Sequence, residues 1–295
     1  MMRFVLLLCC ALPMVAAHAA IAVTDDSGAT LRLAAPARRI VSLAPHVTET
    51  LFAAGAGAAV VGAVDYSDYP DAAKAIRRVG GYTQVDLEAV IALKPDLVIG
   101  WESGNASDQI EKLRSFGLPI YVTQPNRIED IARSIEHYGR LAGTEAYAAV
   151  AAQRFRTRLA QLRAHAEGRP PVRVFYQAWK NPLTTVSGKQ IISDAIRLCG
   201  GVNVFADLAA LAPNVSTEAV LSADPEAIVA SGMDERRPEW LDDWRRWTQM
   251  GAVARNNLFF IPPDLIQRHT PRLLDGIERL CAFLETARGR RGKAP

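Results

Sequence analysis

Aromatic side chains gather where short apolar runs end. Tyr66 and Tyr69 lie in Asp65-Tyr-Ser-Asp-Tyr-Pro70, Tyr82 follows Gly80-Gly81, Trp101 closes Leu97-Val-Ile-Gly100, and Trp179 follows Val174-Phe-Tyr-Gln-Ala178. Large amphipathic rings at strand ends offer wide contact area at small entropic cost, which is the chemistry of holding a broad, largely apolar ligand. Each ring alone is equally well explained by packing; together they favour a cleft. Trp240, Trp244 and Trp247 share one helical face instead and are expected in the core. His46 and His269 stand in loops where an imidazole can ligate a metal or cofactor, against the plainer expectation of a solvated or hydrogen-bonded histidine.

A second pattern concerns carboxylates. Val85-Asp-Leu-Glu-Ala-Val-Ile-Ala-Leu-Lys-Pro-Asp-Leu-Val-Ile99 recurs weakly as Val215-Ser-Thr-Glu-Ala-Val-Leu-Ser-Ala-Asp-Pro-Glu-Ala-Ile-Val229, with Val85, Glu88, Ala89, Val90 and Pro95 repeated identically. Asp86 and Ser216 are natural N-caps, so Glu88 and Glu218 fall in the first turn of matching helices. There they either favour the positive end of the helix dipole or present one carboxylate from each half of the molecule to a pseudo-symmetric partner carrying arginines. No catalytic constellation competes with binding. The sequence has no Gly-x-Ser-x-Gly, His-Glu-x-x-His or Cys-x-x-Cys, and Ser187-Gly188-Lys189 lacks the preceding glycine of a phosphate loop.

Positioning these residues requires elements, and the chain alternates short apolar runs with helical patterns, the mark of parallel sheets covered by helices. A hairpin is expected over Ile21 to Leu33, then strands at Ile40–Leu43, Val60–Val64, Leu97–Trp101 and Ile120–Val122, with helices at His46–Ala54, Asp86–Leu93 and Ala106–Phe116. Gly55-Ala56-Gly57 reads as a helix C-cap and turn, not a dinucleotide loop. Glu145 to Ala166, free of Gly and Pro, predicts one long helix, stopped by Gly168-Arg169-Pro170-Pro171. A second series follows, with strands at Val172–Gln177, Ala227–Ala230 and Leu258–Ile261 and helices at Ile191–Leu198, Thr217–Ser222, Trp240–Met250 and Pro271–Ala287. The expected division is a leader at 1–19, an α/β lobe at 20–140, a connecting helix at 141–168, a second α/β lobe at 169–288 and a loose tail at 289–295.

The leader is expected because one basic residue, Arg3, precedes the apolar stretch Phe4 to Val15 and the small-residue site Ala17-His18-Ala19. That stretch is shorter than the roughly 20 residues a membrane span needs, and its Cys9 and Cys10 sit poorly for lipid attachment. Export leaves Cys199 and Cys281, which in an oxidising compartment either pair as a disulfide or remain as two buried thiols. Without Arg3 the 34 basic residues become 33 against 31 acidic ones, a charge of about +2 that supplies no field for nucleic acid or an anionic membrane.

At these residues the sequence resembles the helical-backbone (class III) family of periplasmic binding proteins for siderophores, haem, cobalamin and metal chelates. The resemblance runs from about Arg39 to Leu284 and rests on Ile40-Val-Ser-Leu-Ala-Pro with Thr48-Glu49, Tyr66-Ser-Asp-Tyr-Pro, Leu87-Glu with Ala92-Leu-Lys-Pro-Asp-Leu-Val-Ile, Trp101 with Gly104-Asn105, Asn181-Pro182, Ser187-Gly-Lys, Cys199-Gly-Gly, Val215-Ser and Pro271-Arg with Cys281. It implies an α/β protein of two Rossmann-like lobes with central sheets, joined by a single long rigid helix. Cobalamin or a related corrinoid would lie between the lobes as a transported ligand, with no resident cofactor or metal.

Carried over by position, Tyr66, Trp101, Asp264 and Arg268 match ligand contacts and the Ser42 to Pro45 loop borders the same cleft. Glu88 and Glu218 match carboxylates that dock on a membrane permease dimer, and Cys199 and Cys281 match a disulfide. Tyr82 stands where the family carries Trp, Ala178 where it carries Phe with Trp179 beside it, and Ala212 and Leu265 where it carries Trp, so the expected cage is looser. Haem or a ferric siderophore is the alternative ligand, and a secreted metalloenzyme using the cleft is the alternative class. A periplasmic, non-enzymatic importer component, monomeric when free, is the reading these residues support.

Overall fold

Alternating residues over the first segment pair as expected: β1 (Ile21–Thr24) and β2 (Thr30–Leu33) form an antiparallel hairpin with Ile21 opposite Leu33. In its turn, Asp25 Oδ1 accepts from the backbone nitrogens of Ser27 and Ala29, each at 3.0 Å. The computed structural model describes residues 20–233 and 235–292, so the expected leader at 1–19 lies outside the described residues.

Beyond the hairpin come β3 (Ile40–Ser42), α1 (Pro45–Ala53), β4 (Val60–Ala63), α2 (Leu87–Ala92), β5 (Leu97–Trp101), α3 (Ser107–Ser115), β6 (Ile120–Thr123) and α4 (Ile128–Ala142). The strands are apolar along almost their whole length because both faces of the sheet are covered. α5 (Glu145–Ala166) then leads to β7 (Val172–Gln177), α6 (Ile191–Leu198), β8 (Gly201–Asn203), α7 (Thr217–Ala223), β9 (Ala227–Ala230), α8 (Gly251–Ala254), β10 (Leu258–Phe260), α9 (Pro263–Ile266) and α10 (Leu273–Gly289).

The two sheets are wholly parallel and share one topology. The first runs β4-β3-β5-β6 and the second β8-β7-β9-β10, so in each the strands met second, first, third and fourth along the chain lie side by side. The repeated segment supplies the third strand and its preceding helix in both lobes, α2 with β5 and α7 with β9. Its caps work alike: Asp86 accepts from the nitrogen of Ala89 at 2.9 Å and Ser216 from that of Ala219 at 3.1 Å, while Val90 and Val220 are both fully buried.

The long helix does not bridge the lobes alone. Gly143, left-handed at φ +71°, ends α4 and lets it fold back along α5, where Glu136 holds Arg156 at 2.6 and 2.7 Å. On its other side α5 meets α10 through Arg158 and Asp275 at 2.6 Å. One hydrophobic core runs without a break from Ile40 and Leu51 through Phe155 and Leu159 to Ile196 and Leu284, so the lobes share their interior. Such packing leaves little freedom for one lobe to swing on the other.

Some expectations need correction. Trp240 to Met250 is not an α-helix but a 3-10 turn over Glu239–Arg246 followed by a bend, with Trp244 buried and its Nε1 donating to Gln177 Oε1 at 2.7 Å. The three tryptophans nevertheless pack in the second lobe as expected. β8 was not anticipated because Gly-Val-Asn carries a single apolar residue. Arg290 and Arg291, expected to open a loose tail, are tied to Asn256 O at 2.7 Å and to Glu226 Oε1 at 2.8 Å. No helix among the described residues is long and apolar enough to cross a membrane.

Candidate functional site

In a sheet ordered second, first, third, fourth, the chain leaves the first and third strands in opposite directions, and a crevice opens beyond their carboxyl ends. Here those strands are β3 and β5 in one lobe and β7 and β9 in the other, and the crevices face each other. Between them lies a cavity of about 600 Å³, walled by Trp101 at the end of β5 and Ser103 beyond it, Ala178 and Trp179 after β7, Met233 after β9, and His269. The depression beside it, of about 690 Å³, shares Ser103, Gln124, Asn126 and Leu211 with the cavity, which extends the groove along the seam.

Trp101 is the best-positioned ring. Its backbone nitrogen donates to Asn105 Oδ1 at 2.6 Å, and Asn105 Nδ2 donates in turn to the carbonyls of Leu43 at 2.9 Å and Tyr82 at 2.7 Å. One buried amide thus fastens three cleft loops together. Beneath the indole, a Cβ added at Gly104 would lie 1.9 Å from Trp101 Cε3, so only glycine fits there. Tyr82 stands 5.8 Å from Trp101 by ring centroid, and Trp179 is more than a third exposed across the cavity. Tyr66 is 72% exposed and held at φ +62°, a left-handed conformation that turns a large ring to solvent at a steric cost.

Asp264 and Arg268 lie 3.0 Å apart, and Arg268 reaches across the lobes to Asp68 at 2.7 Å, but none of the three lines the cavity itself. Burial pushes the Asp264 carboxyl up, opposed by the Arg268 charge. For Asp68, burial is outweighed by the hydrogen bond and charge of Arg268, and its pKa falls. Ser42 does not face the cleft: it is fully buried, donating to Ala44 O at 3.0 Å and accepting from Thr48 Oγ1 at 2.8 Å, and so braces the loop that carries half-buried Pro45.

The histidines are the main surprise. Neither is solvated and neither is satisfied. His46, on α1, packs edge-on against Trp101 at 5.0 Å and lies 5.3 Å from His269 by ring centroid. His46 Nε2, His269 Nδ1 and Trp101 Nε1 are buried with no hydrogen-bond partner. Burial lowers the His46 pKa well below its ordinary value, reinforced by His269 and Arg268, and burial alone lowers that of His269 to about 4. Both imidazoles are neutral at pH 7. Periodicity carried no sign of the pair, since 223 residues separate its members. Asp68 and Asn105 likewise stand within sequence motifs whose pattern assigns them no role.

Glu88 and Glu218 are exposed, far apart in sequence and equivalent in topology, and they line none of these cavities. Cys199 and Cys281 are joined as a disulfide that closes an 82-residue separation and fastens α6 to α10. Among the described residues, no group of three or more His, Cys, Asp or Glu side chains is arranged to hold a metal ion.

Residues 40–265 match the periplasmic binding protein family model. The chain is 39% identical over 259 residues to the vitamin B12-binding protein of Vibrio parahaemolyticus, covering 87% of this chain and 92% of that protein. It is 34% identical over 245 residues to the vitamin B12-binding protein of Yersinia pestis, covering 83% and 85%. Among solved structures, the periplasmic vitamin B12-binding protein of Vibrio cholerae superposes with a TM-score of 0.80 at 37% identity, over 86% of this chain and 98% of that one. A periplasmic haem-binding protein of Roseiflexus shares the fold, with a TM-score of 0.73 at 22% identity over 85% and 99%.

Proposed function

Because the chain belongs to the periplasmic binding protein family, we propose that it is the periplasmic component of an ABC importer, capturing cobalamin or a close corrinoid between its lobes. The observation that carries the reading is the groove itself, formed at the carboxyl ends of β5, β7 and β9 from both lobes and lined by the broad rings of Trp101 and Trp179, with Tyr82 packed 5.8 Å from Trp101. A corrinoid presents matching surfaces: wide faces for the rings and an amide rim for Asp264, Arg268 and Asp68. The relatives at 34 to 39% identity, in sequence and in the Vibrio cholerae structure, are vitamin B12-binding proteins.

Glu88 and Glu218 serve delivery in this reading. The shared topology sets them on equivalent helices, one per lobe, as two carboxylates for arginines of a permease dimer. Spectral titration of purified protein with cyanocobalamin, haemin and ferric chelates tests the ligand. Tight binding of cyanocobalamin is expected; tight binding of haemin or a ferric chelate alone overturns the corrinoid reading, and turnover of the ligand overturns the binding role.

A further inference from the structure

We propose that the depression beside the inter-lobe cavity seats the phosphodiester of the bound corrinoid's nucleotide tail, with Lys189 as the cation that meets it; the inference rests on the corrinoid reading above. The two hollows divide the groove by charge. No lysine, arginine, aspartate or glutamate stands on the cavity wall among the described residues, and burial keeps its His269 neutral. The adjoining depression shares part of that wall and adds Arg127, Lys189 and Arg197 against the single carboxylate of Glu102. A ligand that fits both parts has an uncharged rim and one anionic end. A corrinoid of the cobalamin type has neutral amides around its ring and a fixed negative charge in the phosphodiester of its tail.

The loop that carries Lys189 is tied on both sides. Gly188 donates its backbone nitrogen to Ala206 O at 2.8 Å, beyond β8, and Gln190 caps α6 by accepting from the nitrogen of Ile192 at 2.5 Å. Gln190 lines the cavity and Lys189 the depression, so the lysine stands where one passes into the other. With the Gly188 nitrogen already occupied, Ser187-Gly188-Lys189 offers no nest of backbone nitrogens, and a phosphate here is met by side chains. Of the three cations, Arg197 is held by Asp194 at 2.9 Å and Arg127 lies 3.6 Å from Glu129, whereas Lys189 has no ion pair among the described residues. Lys189 is exposed, and its flexible point charge can follow whichever phosphate oxygen the tail presents. Glu102 lessens the positive surplus without cancelling it.

The test pairs variants of Lys189 with three ligands, affinity being read by tryptophan fluorescence at low ionic strength. The ligands are cyanocobalamin, dicyanocobinamide, which has the corrin body without phosphate or base, and dicyanocobinamide phosphate, which has the phosphate without the base. Lys189→Met should weaken cyanocobalamin and the phosphate form by about fivefold and leave dicyanocobinamide within about twofold, and Lys189→Arg should restore most of the loss. Adding Arg127→Met should deepen the loss to about tenfold for the two phosphate-bearing ligands alone. Raising the salt should erase the difference between Lys189→Met and the wild type, because an exposed pair is screened. Wild-type affinity of Lys189→Met for cyanocobalamin overturns the assignment, as does an equal loss for dicyanocobinamide. A loss for cyanocobalamin with none for the phosphate form overturns it too, by giving the contact to the base. Failure of all three ligands to bind the wild type overturns the corrinoid reading and the inference with it.

Discussion

Arg272, just ahead of α10, grips Glu49 of α1 with two parallel hydrogen bonds, Nε to Oε1 at 2.8 Å and Nη2 to Oε2 at 2.7 Å, across the seam between the lobes. The guanidinium also lies 3.8 Å over the ring of Tyr69. Glu49 is only 3% exposed, so the pair is a fastening with little water around it. Removing one partner strands the other: Arg272→Met should cost about 3 to 5 kcal/mol in urea unfolding, and adding Glu49→Gln should recover part of that loss. A single-variant loss below about 1 kcal/mol means the seam is held elsewhere.

Trp101 should dominate ligand affinity. Trp101→Ala is expected to weaken cyanocobalamin binding by about 2 kcal/mol, roughly 30-fold, measured by equilibrium titration. Gly104→Ala should approach this effect without touching the ligand, because its new Cβ would occupy the place of the indole. Unchanged affinity in folded forms of both variants moves the site away from Trp101.

Glu88→Ala combined with Glu218→Ala should bind cyanocobalamin normally and fail to support uptake or association with the membrane complex, and reversal of both to Arg should be worse because like charges would meet. The competing account, helix capping, forecasts slightly lower stability and intact transport. Wild-type uptake at wild-type abundance returns both carboxylates to a structural role.

Acid should loosen the ligand-free protein. His269 titrates at about 4 in the fold against its ordinary 6.5, so between these values the unfolded chain takes up a proton that the folded one refuses. Stability is therefore complete above about pH 6.5 and declines as the pH falls toward 4, by roughly 3 kcal/mol in all. His46 acts in the same direction. Urea midpoints across this range should show the slope, and His269→Gln should flatten it; a level wild-type profile means the imidazole is open to water.

Thiol counting on the denatured, unreduced protein should find none in the mature chain. Reduction should cost roughly 4 to 5 kcal/mol in the chain-entropy account of an 82-residue loop. Two reactive thiols per chain contradict the bridge.

Much of this was legible in one dimension. Strand and helix patterns over Leu97–Trp101, Glu145–Ala166 and Val172–Gln177 were read from the sequence with their full extent, because apolar run length and propensity are local properties. The repeat placed Glu88 and Glu218 in equivalent helices for the same reason, and aromatics at strand ends were found by their position relative to those strands. Ser42 looked like a cleft residue because its loop borders the cleft; whether a serine hydroxyl faces ligand or backbone depends on one χ angle and its neighbours.

What only the tertiary structure decided is which groups meet. Glu49 and Arg272, Asp68 and Arg268, and His46 and His269 are each separated by 200 residues or more, and no periodicity links their positions. They become partners because two sheets of identical strand order are set crevice to crevice by the packing of α4, α5 and α10, which brings the polar ends of unrelated loops together and withdraws them from water. Hydrophobic pattern is written along each element, whereas pairing and desolvation of polar groups arise only from how the elements are stacked.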